Sequence, residues 1–119
     1  MSVRRLTAAL AVLAVLVGIG ASSVLARSQM GTPKVTVTAL DTLKFTLSKK
    51  SAHHGKVSFV VTNKGNLKHD FWIAGKKTNL LGHNKSQTIT VTIKKGKNPY
   101  KCTVPGHAAA GMKGNFIGT

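Results

Sequence analysis

A strict two-residue period most restricts what this chain can fold into. Gln87-Thr88-Ile89-Thr90-Val91-Thr92-Ile93 places a β-branched apolar residue at every second position and a polar one between. Successive side chains of a strand point to opposite faces, so this run buries one face and wets the other. Lys34–Ala39 and Leu43–Leu47 repeat the alternation, and Val57–Thr62 is rich in β-branched residues. His69–Ile73, Tyr100–Thr103 and Asn115–Ile117 complete a set of seven short strands. Polar turns separate them at Lys49–Gly55, at Asn63-Lys64-Gly65-Asn66 and at Lys94-Lys95-Gly96-Lys97. Beyond the first 26 residues no stretch sustains a helical period. Short strands with regularly spaced turns predict an all-β sandwich. Lys76–Lys85, the least regular part, is expected to be a loop between the sheets.

The 119 residues suit one domain, and the first segment is set apart from it. Arg4 and Arg5 precede an apolar run from Leu6 to about Ala21, which ends in Ser22-Ser23-Val24-Leu25-Ala26. That layout is a secretory signal peptide, with cleavage expected after Ala26. Leu6 to Ala26 is also long enough to stay in a bilayer as an uncleaved anchor. The Gly and Ser residues near its end favour processing. The expected division is a leader over 1–26, a linker over 27–33 and a domain over 34–119. The domain is then exported, to the periplasm or the cell exterior.

Eighteen Lys and Arg stand against two acids, Asp41 and Asp70, for a formal charge of +16. Such a balance attracts acidic surfaces, either an acidic protein partner or an anionic membrane. The lysines are scattered from Lys34 to Lys113, with no dense run and no interleaved aromatics. That pattern argues against nucleic acid.

Cys102 is the lone cysteine. In an oxidising compartment cysteines usually pair, so a single one needs a reason. It can be a buried small hydrophobe, an intermolecular disulfide partner or a metal ligand. Its neighbours weigh on the choice. Cys102, His107 and Met112 are five residues apart in a loop at the end of a strand. A thiolate, an imidazole and a thioether together select copper, and a blue-copper site takes two histidines and a cysteine in a plane with a weak axial methionine. The second histidine must come from elsewhere. His69 is the best candidate: it follows a turn, and it shares the face of Phe71 and Ile73 by alternation, so it should point inward. Met112 is the least secure of the four, because methionine often only fills a gap in a core. His53, His54 and His83 read as solvated loop residues.

The segment from Val60 to Ile73, VVTNKGNLKHDFWI, followed by Cys-x4-His-x4-Met, resembles the cupredoxin family of type 1 copper proteins. The loop spacing is most similar to the rusticyanin and auracyanin branches. The resemblance covers nearly the whole of 34–119. It implies a Greek-key β-sandwich holding one copper ion, with His69, Cys102, His107 and Met112 as ligands. It also implies one-electron transfer rather than enzymatic turnover. Asp70 departs from the asparagine common after the first ligand histidine; a carboxylate there could lower the potential or tie down the loop. An exported, monomeric electron carrier is the leading expectation. A copper chaperone or storage protein of the same fold is the alternative, and a copper-free β-sandwich used for adhesion the third reading.

Overall fold

The alternating segments do become strands, with their apolar positions turned inward. The computed structural model describes residues 31–119. The expected leader, its cleavage point and most of the linker lie outside the described residues. Strand β1 is Lys34–Leu40, β2 Lys44–Leu47, β3 Ser51–Ala52, β4 Gly55–Asn63 and β5 Trp72–Ile73. After them come β6 Lys76–Lys77, β7 Ser86–Ile93, β8 Gly96–Lys101 and β9 Lys113–Gly118. One sheet has the order β2-β1-β4-β7 and the other β3-β9-β8-β5-β6. Strands β1 and β4 run parallel in one sheet, so the chain must leave and return between them. It does so through β3, which pairs with β9 in the other sheet.

Two strands lie where polar connections were expected. The turn Lys49–Gly55 contains β3, and the loop Lys76–Lys85 contains β6. Each is two residues long, too short for any period to register. The expected strand His69–Ile73 pairs regularly only at Trp72 and Ile73. His69 is instead held by an isolated bridge: its N–H donates to Leu81 O at 3.2 Å and its carbonyl accepts Leu81 N–H at 2.8 Å. The inward face persists, since His69, Phe71 and Ile73 are all buried. Strand β8 begins at Gly96, earlier than its apolar content suggested, and includes Pro99. Its pairing with β5 stops at Tyr100, so at Pro99 it has a neighbour on one side only. A residue without an N–H is tolerated at such a position.

Val35, Val37, Val57, Phe59, Val61, Ile89, Val91 and Ile93 from the first sheet meet Ile73 and Phe116 from the second and Phe71, which directly precedes β5. The Phe59 ring lies 5.2 Å from that of Phe116, edge to face, and 5.5 Å from that of Phe71. Phe59→Ala therefore removes the central ring of three. A loss of about 3–5 kcal/mol is expected, a large part of the roughly 5–15 kcal/mol that holds a domain folded. Denaturant unfolding of the metal-free protein checks it. A smaller cluster of Ala39, Cys102 and Met112, flanked by Leu43, Phe45 and Val104, packs separately.

Candidate metal centre

Three connections build this site. The β1–β2 turn carries Asp41, the β4–β5 connection carries His69 and Asp70, and the β8–β9 loop carries Cys102, His107 and Met112. The β8–β9 loop is ordered by its own backbone. His107 N–H donates to Val104 O, Ala110 N–H to Gly106 O, Gly111 N–H to Ala108 O and Met112 N–H to His107 O, at 3.0–3.1 Å. Cys102 N–H closes the base of the loop on Met112 O at 3.0 Å. Gly111 has φ +115°, a backbone that a side chain strains. The loop thereby brings Cys102 Sγ within 3.6 Å of His107 Nδ1 and packs Met112 beside Cys102.

His69 Nδ1 lies 3.2 Å from His107 Nδ1, and Cys102 Sγ lies 3.6 Å from the same atom. One donor atom from each of the three residues falls within 4.8 Å of the others. Among the described residues they form the only such group of three or more His, Cys, Asp or Glu side chains. The spacings suit one shared ion. With bond lengths of about 2.0 Å to imidazole and about 2.3 Å to thiolate, angles between tetrahedral and trigonal place two nitrogens about 3.3–3.5 Å apart and nitrogen and sulfur about 3.5–3.7 Å apart. Met112 is fully buried in the cluster that contains Cys102. His69 and Cys102 are each 1% exposed, whereas His107 is only half-buried. The centre therefore reaches solvent on the His107 side.

Burial pushes the Cys102 thiol up from its ordinary range, while the nearby Asp70 and Val104 backbone N–H groups pull the other way. The Asp70 carboxylate adds to the upward push on the thiol, and it accepts Thr103 N–H at 2.6 Å and the Thr103 hydroxyl. It thereby ties the residue after Cys102 to the residue after His69, one of the two roles open to it from sequence. His53, His54 and His83 are exposed and away from the group of three. The His54 ring bonds the Thr119 carbonyl and the His83 ring the Gly65 carbonyl.

Sequence reasoning passed over Asp41 and Asn63. Asn63 is fully buried, and its amide donates to Leu67 O at 2.8 Å and Leu81 O at 2.7 Å while accepting Gly65 N–H at 2.8 Å. It shapes the turn leading to His69. Asp41 accepts Asn66 N–H at 2.6 Å and Leu67 N–H at 3.0 Å, and stands 3.2 Å from His69 Nε2. Their signal in the sequence was slight. Asp41 was conspicuous only as one of two acids.

The fold matches solved structures of other proteins. An auracyanin from the photosynthetic bacterium Roseiflexus castenholzii, solved in its dithionite-reduced form, superposes with a TM-score of 0.63 at 21% identity, over 75% of this chain and 99% of its own. The azurin of the obligate methylotroph Methylomonas sp. strain J gives 0.60 at 17% identity, over 75% and 99%. Auracyanin B gives 0.60 at 22% identity, over 75% and 91%. At these identities the likeness carries the fold alone. No curated protein sequence matches significantly. Residues 21–117 match the family described as copper binding proteins, plastocyanin/azurin family. A β-sandwich with buried imidazole, thiolate and thioether donors at one end is the chemistry that this family uses, and the chain belongs to the plastocyanin/azurin family of copper-binding proteins.

Proposed function

We propose that the protein is an exported electron carrier in which His69 Nδ1, Cys102 Sγ, His107 Nδ1 and Met112 would hold one copper ion. The observation that carries this reading is the convergence of the three donor atoms within 4.8 Å in a buried, hydrogen-bonded frame. Bound there, copper supplies a one-electron Cu(I)/Cu(II) couple. The residues do the rest. The His69 bridge to Leu81, the Cys102–Met112 clasp and the Asp70–Thr103 bonds resist movement of the donors. A frame that changes little between oxidation states keeps reorganisation small. The protein supplies all four donors, which leaves no position for a substrate and supports a carrier rather than an enzyme.

His107 is the half-exposed donor and lies between Pro105-Gly106 and Ala108-Ala109-Ala110, a small uncharged surface. A partner can approach the ring closely there. Asp41 and Asp70, the only acids of the chain, are both engaged by the site's own backbone. The remaining charge of the surface is lysine, which favours an acidic redox partner and a salt-dependent rate of encounter. The test is a redox titration of the copper-loaded protein. One copper per chain, an intense visible thiolate band and reversible one-electron cycling with copper retained in both states are expected. Loss of copper on reduction would point instead to a chaperone.

The raised thiol predicts how copper uptake depends on pH. Below its elevated pKa the free Cys102 keeps its proton, and copper takes the thiolate. Uptake between pH 7 and 8 should therefore release a proton from Cys102. From that group alone, apparent affinity should climb about tenfold per pH unit until the raised pKa is reached. Competition titrations against a chelator of known pH dependence check the slope.

A further inference from the structure

We propose that Asp41 is a positioning residue for the copper ligand His69, fixing its tautomer and strengthening its donation to Cu(II), so that this carboxylate holds the reduction potential down. The inference rests on the copper assignment above and deepens it.

The geometry begins with the imidazole. His69 has two ring nitrogens with different neighbours: Nδ1 faces His107 Nδ1, and Nε2 faces Asp41 Oδ1 at 3.2 Å. An ionised carboxylate can only accept, so His69 Nε2–H is the donor. The proton then sits on Nε2, and the lone pair of a neutral ring is left on Nδ1, directed at the other donors. A histidine ligand whose second nitrogen donates to a carboxylate is more basic and better oriented than one that donates to water.

The carboxylate is itself held. Asn66 N–H and Leu67 N–H donate to its two oxygens, and such bonds favour the ionised form of a carboxylate. Space is reserved for it at Gly65, where an added Cβ would lie 2.0 Å from Asp41 Oδ1. The Gly65 N–H is meanwhile pinned by Asn63 Oδ1. A buried asparagine, a glycine and two backbone donors thus hold one surface carboxylate against a histidine that is 1% exposed. In a chain with two acids and eighteen bases, that placement is specific.

A carboxylate beside the site favours the oxidised ion, which carries one more positive charge. Removing its charge should therefore weaken Cu(II) more than Cu(I). Outer partners of metal ligands typically contribute 10–100-fold in affinity. A tenfold loss confined to Cu(II) raises a one-electron potential by about 59 mV. Asp41→Asn removes the charge and keeps one oxygen, an acceptor for one of the Asn66 and Leu67 N–H groups.

The experiment measures the potential and the Cu(II) and Cu(I) affinities of wild type, Asp41→Asn and Gly65→Ala. Gly65→Ala leaves Asp41 intact but displaces its carboxylate. Both variants should bind Cu(II) at least about tenfold more weakly and shift the potential upward. In the diamagnetic Cu(I) wild-type protein, proton–nitrogen correlation spectra should show His69 protonated at Nε2, with slow exchange. Exchange should be faster in both variants. A wild-type His69 without an Nε2 proton overturns the proposal whatever the variants do. So do unchanged potentials in folded variants whose only defect is stability, which would make Asp41 a turn brace. Failure of the wild type to bind copper would instead strike the copper assignment itself.

Discussion

Cys102→Ser abolishes the intense visible band and weakens copper binding by more than about 100-fold, the upper range for residues that act only on a ligand. The sulfur is the one thiolate in the chain, so no other cysteine can replace it. A serine hydroxyl is smaller, harder and not ionised near neutral pH, so it offers neither the soft donor nor the charge that selects copper. The polypeptide should survive the change. Cys102 packs against Ala39 and Met112, and its backbone N–H still reaches Met112 O. The metal-free variant should lose about 1 kcal/mol, a common cost of a single replacement. Absorption and electron-spin spectra, read beside thermal unfolding of the metal-free forms, separate a lost ligand from a lost fold. A folded serine variant that kept its colour would remove Cys102 from the ligand set.

The long strands were legible because their burial is one-sided. In β1 and β7 the alternation of apolar and polar residues follows the alternation of inward and outward faces, and in β4 Val57, Phe59 and Val61 take the inward positions. The short strands were not legible. Ser51–Ala52 and Lys76–Lys77 are set by neighbours at the sheet edges, and their sequences carry no preference of their own. The four candidate ligands were readable for a different reason. Cys102, His107 and Met112 belong to one loop, so their spacing is local, and His69 was found by its face on a strand. Asp41 was beyond such reasoning: it meets His69 across 28 residues, through a turn shaped by Asn63 and Gly65. Pairings set by tertiary approach leave no period and no motif. Composition alone hinted at them, since both acids of a strongly basic chain stand beside the copper residues.

Met112 should tune the potential in opposite directions when changed to glutamine or leucine. Its thioether is a weak, soft donor that suits Cu(I), and axial identity is one lever on the potential of such centres. Glutamine offers a harder oxygen, favours Cu(II) and should lower the potential. Leucine offers no donor and should raise it. A tenfold change in the relative affinity for the two oxidation states corresponds to about 59 mV, and at least that is expected in each direction. The structure makes leucine an informative control. Met112 is fully buried beside Cys102 and Ala39, so the competing reading gives it a packing role only. Leucine conserves most of that volume and should cost less than about 1.5 kcal/mol. Buried glutamine should cost about 1–3 kcal/mol more if its amide finds no partner. The loop itself is insulated from both changes, because Met112 holds it through backbone bonds to His107 and Cys102. A packing role thus predicts stability losses ordered Gln above Leu with the potential unmoved. An axial role predicts potentials displaced to either side of the wild-type value, with colour altered and copper retained by His69, Cys102 and His107. Voltammetry of the two variants, set against their unfolding free energies, decides between these orderings.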